Sequence, residues 1–159
     1  IGGMFDRTAL EHAERDALVV PHQNVRWSYR ELSRRVDHLA AGLMRLGLEP
    51  GDRLGIWAPN CAEWVLTQFA SAKAGLVLVN INPSYVRREL EYALNKVECK
   101  ALIAAPGFKG TDYLAILQGL SPQMEHGATN EWRSASSSLL SIRKPQAFGP
   151  PNLWALPVT

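Results

Sequence analysis

The sequence predicts an α/β fold: a mostly parallel sheet flanked by helices, with an N-terminal hairpin beside it. Three observations carry this expectation. Helical and strand periodicities alternate through the first 120 residues, the strands are short all-apolar runs, and Gly, Pro or Asn punctuates each periodic stretch. Composition agrees, since 47% apolar and 20% charged residues exclude wholesale disorder and fibrous folds. A chain of this size buries roughly 70% of its unfolded surface, enough for one core without metals or disulfides.

Phe5, Ala9, Leu10 and Ala13 recur at helical spacing and predict a short first helix. Residues 17–20 and 25–27 flank a polar loop and predict two strands paired as a hairpin. Ser28 and Glu31 then stand at capping-box spacing, and Tyr29, Leu32, Val36, Leu39, Leu43 and Leu46 form an apolar stripe behind them. Gly47 supplies a left-handed helix terminator, and Pro50-Gly51 a turn. Residues 53–58 read as a buried strand ended by Pro59. Asn60 reads as the cap of a second helix, with Glu63 at its box position and Trp64, Val65, Gln68, Phe69 and Ala72 on related faces. The run 76–79 has no polar alternation and predicts a strand covered on both faces. A polar turn leads to a helix marked by Val86, Leu90, Ala93, Leu94 and Val97, followed by a strand at 102–105 and a helix over 112–120. This order gives a parallel sheet with right-handed crossovers.

Charge and cysteine usage remove several function classes. Lys and Arg number 17 against 15 Asp and Glu, and the two signs are interspersed, so the basic face of a nucleic-acid binder is not expected. Cys61 and Cys99 stand apart, which suits free thiols in a reducing compartment. The longest apolar stretches, 75–79 and 101–105, are too short to cross a bilayer, so no transmembrane segment is expected. Asp6, Arg7, Glu11, Glu14, Arg15 and Asp16 occupy the place of a signal-peptide core, and a cytoplasmic protein is expected. The chain opens on Ile1 instead of Met, so its left end is not expected to be a native start.

Ligands of parallel sheets bind beyond the carboxyl ends of the strands, so those loops are the places to inspect. None carries a G-x-G-x-x-G or G-x-x-x-x-G-K-[ST] phosphate loop, and the Gly51 to Gly55 pair precedes a strand, as a structural turn does. Asn80, Asn82, Ser84 and Tyr85 offer donors and acceptors just beyond the buried strand at 76–79; they read either as caps around Pro83 or as a ligand-facing turn. His12, His22, His38 and His126 lack metal-ligand spacing and read as surface or partly buried groups. Cys61 at a helix start reads either as a reactive thiol or as a buried, inert one. Trp27, Trp57 and Trp64 read as core anchors, and the pairs Arg34-Arg35 and Arg87-Arg88 as solvated helix faces. On this reading no residue is assigned a catalytic, cofactor-binding or metal-binding role.

The ordered segments nevertheless resemble a known family. Phe5-Asp6-Arg7-Thr8-Ala9, Trp27-Ser28-Tyr29-Arg30-Glu31-Leu32, the run from Pro50 through Arg53-Leu54-Gly55-Ile56-Trp57 to Asn60, and Lys73-Ala74-Gly75 continuing to Asn82-Pro83-Ser84-Tyr85 resemble the N-terminal region of the adenylate-forming (AMP-binding) superfamily. Asn80-Ile81-Asn82-Pro83 with Glu89-Leu90-Glu91-Tyr92 is most similar to medium- and long-chain fatty acyl-CoA synthetases. The resemblance implies a parent enzyme that converts a fatty acid with ATP and magnesium to an acyl-adenylate, then passes the acyl group to coenzyme A. It implies residues 1–120 as an incomplete part of the large N-terminal domain, and it allows a homodimeric parent.

The Thr/Ser/Gly-rich phosphate loop ending in Pro-Lys-Gly, the ribose-binding acid and the lysine of the mobile C-terminal domain are motifs this sequence does not contain. The chain is therefore expected to be an inactive fragment of a longer ligase. Two other readings stay open: a non-catalytic α/β interaction or regulatory module, and a small nucleotide-binding protein. Residues 121–159 hold five of the ten prolines, including Pro150-Pro151, and the serine run Ser136-Ser137-Ser138; they read as an irregular tail outside the family pattern.

Overall fold

The computed structural model describes residues 1–120, 140–143 and 156–157. They confirm the α/β class. The described chain divides into two compact units, one of residues 1–52 and 60–78, the other of 53–59 and 79 onward.

The first unit opens with α1 (Gly2–Glu11), then the antiparallel pair β1 (Asp16–Val20) and β2 (Val25–Ser28), which forms the predicted hairpin. A 3-10 turn over Pro21–Gln23 joins the two strands, and Asn24 completes it in the left-handed conformation that a short polar side chain tolerates. The long α2 (Tyr29–Arg45) follows, with Ser28 Oγ accepting from Glu31 N at 3.3 Å. The expected reciprocal half of the capping box is replaced: the Glu31 carboxylate pairs with Arg34 and Arg35 at 2.9 and 2.7 Å. Leu32, Val36, Ala40 and Leu43 are the buried stripe.

The second long helix, α3 (Ala62–Lys73), corrects two expectations. Its N-cap is Cys61, one residue later than Asn60, and its buried face is Glu63, Thr67, Ala70 and Ser71 instead of Trp64, Val65, Gln68, Phe69 and Ala72. Small side chains on that face let a helix approach its neighbours closely, and α3 packs against both α1 and α2. Trp64 is thus half-buried and no core anchor. Phe5 of α1 stacks on Phe69 with centroids 4.3 Å apart, and Lys73 Nζ bridges Asp6 of α1 and Asp37 of α2. Leu10, expected on the apolar face of α1, is 83% exposed.

Helices α2 and α3 end alike. Gly47 and Gly75 take φ of 79° and 71°, and the following residues, Leu48 and Leu76, donate their N–H groups back to Leu43 and Ser71. Those bonds satisfy carbonyls that a helix end otherwise leaves open.

Most of the sheet lies in the second unit. Strand order is β4-β3-β5-β8-β9, where β3 is Arg53–Trp57, β4 Val77–Asn80, β5 Ala101–Ala104, β8 Leu140–Arg143 and β9 Leu156–Pro157. Strands β3 and β5 are parallel, in register from Leu54 opposite Ala101 to Trp57 opposite Ala104. Strand β8 joins β5 antiparallel. Gly55 permits the close packing of β3, because a Cβ there would meet Leu102 Cδ1 at 2.9 Å and Cys99 Sγ at 3.1 Å. Strand β4, predicted to be covered on both faces, is an edge strand on which Val77 and Asn80 are exposed.

Helix α4 (Arg87–Lys96) buries Leu90 and Leu94, while Val86 at its start is exposed. It ends through the same backbone bonds as α2 and α3, but the left-handed residue is Glu98. A small hairpin of β6 (Gly107–Phe108) and β7 (Thr111–Asp112), turned by Lys109 and Gly110 at positive φ, precedes α5 (Tyr113–Leu120). Asp112 Oδ1 caps α5 by accepting from Ala115 N at 3.0 Å. Most of the tail read at 121–159 lies outside the described residues.

Candidate functional site

Strand β3 lies between β4 and β5, so the loops leaving β3 and β5 diverge and open the crevice in which doubly wound sheets hold ligands. Two aromatic side chains meet at the end of β3. Trp57, the last residue of β3, stacks on Tyr113, the first of α5, with centroids 3.5 Å apart and planes within 9°. Neither ring is solvent-exposed.

The stack also holds the Asn80 to Tyr85 turn. Trp57 Nε1 donates to the Asn82 carbonyl at 3.1 Å, the Tyr113 hydroxyl donates to the Pro83 carbonyl, and Asn82 Oδ1 accepts from Ser84 N at 2.9 Å. The caps foreseen around Pro83 take this form: Asn82 closes the turn on itself, and α4 is capped separately, by Glu89 Oε2 accepting from Val86 N at 2.8 Å. Desolvation pushes the Tyr113 phenol up to about 12, so it stays a donor at neutral pH. A buried polar group keeps its partner at such a cost that the turn is fixed where it is.

A second cluster gathers at the N-terminus of α3, within the first unit. Gln23, from the loop between β1 and β2, accepts from Ala62 N through Oε1 at 2.6 Å and donates through Nε2 to Glu63 Oε2 at 2.8 Å. One carboxamide thereby caps a helix and holds a carboxylate that is only 6% exposed. Cys61 sits beside it, and burial pushes its thiol up to about 11 against the opposing pull of the Trp64 backbone N–H. Cys61 is half-buried, and a thiol raised in this way is protonated at neutral pH. Cys99 is held the same way: burial raises it to about 11, and its thiol donates to the Ala101 carbonyl at 2.9 Å.

The remaining candidates are dispersed. His22 and His38 lie on the surface, and His12 ends α1 near Tyr29; His126 lies outside the described residues. Among the described residues no group of three or more His, Cys, Asp or Glu comes together as a metal site. Arg35 is not a solvated charge, since its guanidinium covers the Trp27 ring at 4.5 Å. Arg87 donates to the Gly119 carbonyl at 2.7 Å and secures the end of α5. Around the end of β3, the Asn82 and Pro83 carbonyls and Asn82 Oδ1 are all engaged within the protein.

What the fold defines is an α/β segment with a mostly parallel sheet. Residues 5–147 match the model of the family described as AMP-binding enzyme, and the chain belongs to that family as part of its N-terminal region. It is 47% identical over 125 residues to the mitochondrial medium-chain acyl-CoA ligase ACSF2 of Bos taurus, covering 79% of this chain and 20% of the relative. The Homo sapiens counterpart is 44% identical over 134 residues, with 84% and 22% covered. Among solved structures, the N-terminal domain of FACL13 from Mycobacterium tuberculosis superposes with a TM-score of 0.70 at 26% identity, over 78% of this chain and 30% of that one. The chain thus spans about one fifth of the length of the curated relatives it matches.

Proposed function

We propose that this chain is a scaffold segment of an ATP-dependent acyl-CoA ligase and has no ligase activity alone. The observation that carries the reading is the Trp57–Tyr113 stack at the end of β3, whose polar atoms are committed to the turn after β4, together with membership in a family whose adenylating motifs lie outside this sequence. Within the parent the segment's role is placement: Trp57 and Tyr113 fix the turn after β4, and Gln23 fixes the start of α3. The parent would join a fatty acid to coenzyme A through an acyl-adenylate, with ATP, magnesium and coenzyme A held by residues elsewhere in the enzyme. Names of the relatives favour a medium-chain acid.

Adenylate-dependent pyrophosphate exchange, run on this chain beside the full-length parent, tests both halves. Exchange by the parent and none by the chain is expected; exchange by the chain would end the scaffold reading. The buried thiols suit a reducing compartment, and we place the parent in the cytoplasm. No helix among the described residues is long and apolar enough to cross a membrane. Relatives bear a mitochondrial designation, so fractionation of cells expressing the tagged parent decides between the two compartments.

A further inference from the structure

We infer that α1 is a strap that detaches from α2 and α3 as a unit while those helices stay folded, and that Lys73 is its latch. Its sequence gives α1 little helical stability of its own. The helix has ten residues and opens on Gly2 and Gly3; no side chain caps its start, its first turn carries no acid and its last turn no base. A glycine inside a helix costs about 1 kcal/mol against alanine, and isolated helices shorter than about 12–15 residues are marginal in water. Helix α2 differs on each count, with 17 residues, the Ser28 cap, Glu31 in its first turn and Arg45 in its last. What keeps α1 helical is therefore its docking, and the docked surface is small. Phe5 and Ala9 are its buried residues, whereas Met4 and Leu10 are exposed. Phe5 stacks on Phe69, and beside that stack Lys73 pairs with Asp6 and places its ammonium over the Phe5 ring at 5.5 Å. Lys73 is the last residue of α3, where the helix dipole favours a cation, and its other partner, Asp37, belongs to α2. One ammonium, on a side chain 14% exposed, thus ties three helices together. Removing its charge leaves Asp6 of α1 and Asp37 of α2 as like charges with no cation between them, so the contact that holds the strap becomes one that repels it.

Amide hydrogen exchange of the whole chain, followed by mass spectrometry on peptides from α1 and from α2, tests the inference. Relative to their intrinsic rates, α1 amides are expected to exchange at least roughly tenfold faster than those of α2, as a unit that opens by itself does. Asp6→Asn removes one partner of the latch and keeps the Lys73 pair with Asp37; it is expected to speed α1 by a further factor of about two to five and to leave α2 as it was. Lys73→Gln strands both aspartates and is expected to speed α1 more than Asp6→Asn does. Gly3→Ala raises the helix propensity of α1 without touching the docked face, and it is expected to slow α1 by up to about fivefold. Equal protection of α1 and α2 in the wild type overturns the strap, as does a parallel change of both helices in Asp6→Asn or no slowing in Gly3→Ala. Exchange of α1 in Asp6→Asn at the wild-type rate overturns the latch, whether or not Lys73→Gln folds.

Discussion

Gln23 shows how much one side chain does in this protein. Its carboxamide is at once the acceptor for the first free N–H of α3 and the donor to a carboxylate buried beneath it. Gln23→Ala removes both bonds and leaves the largely buried Glu63 carboxylate without that donor. Stranding a buried acceptor costs about 1–3 kcal/mol, so the unfolding free energy of the variant is expected to fall by that amount, read as a lower urea midpoint at an unchanged slope. An unchanged midpoint would mean that Glu63 finds another donor. The two thiols yield a second expectation, in pH. Burial holds Cys61 and Cys99 up to about 11, whereas an unfolded thiol ionises at about 8.5. As pH rises the unfolded chain releases these protons first, so stability is level below about pH 8.5 and declines from there to about 11. Unfolding midpoints measured across that window test the sign, and replacement of both cysteines by alanine should flatten the decline.

At the scale of the element, α2 was legible because its signals are local: a serine cap, an apolar stripe at 3.6-residue spacing and a glycine terminator lie within one stretch of chain. Helix α3 was legible in existence and not in orientation. Its buried face is made of Ala62, Thr67, Ala70 and Ser71, small residues that carry little hydrophobic signal, while Trp64 and Phe69 carry much and lie on partly exposed faces. The cap from Gln23 was hidden because donor and acceptor are 39 residues apart. The Trp57–Tyr113 stack was hidden for the same reason, since the two residues are far apart in the chain. Gly55 was visible as part of a turn-like pair, but its use is in the strand. A methyl there meets the Leu102 and Ile81 side chains at 2.9 and 3.2 Å as well as the Cys99 sulfur. Gly55→Ala is therefore expected to destabilise by about 1–3 kcal/mol through overpacking, whereas Gly3→Ala in α1, where a Cβ meets nothing within 4 Å, should not destabilise and should gain up to about 1 kcal/mol from helix propensity. Thermal melts of the two variants side by side check the contrast.

For the molecule as a whole, the question is whether an α/β segment of an adenylating enzyme keeps any hold on the ligands of that enzyme. Binding and activation of ATP depend on donors preorganised around the phosphates, and removing even one such donor from a working site costs roughly a hundredfold to a thousandfold in rate. This segment contributes none of the family's phosphate-binding motifs, and the end of β3 carries a stacked pair whose polar atoms are committed to the Asn82 and Pro83 carbonyls. A ligand placed against the Trp57 ring would have to unstack it from Tyr113 and leave a buried indole N–H and a buried phenol without partners. Two bonds lost at about 1 kcal/mol or more each, plus the stacking itself, oppose any ligand that would enter there. Calorimetric titration of the chain with ATP, and separately with coenzyme A, is accordingly expected to give no heat beyond dilution at micromolar ligand. Heat with micromolar affinity would move this chain from scaffold to nucleotide binder. Tyr113→Ala would then tell where: loss of the heat would place the ligand against the Trp57 ring, and its persistence would place it elsewhere in the chain.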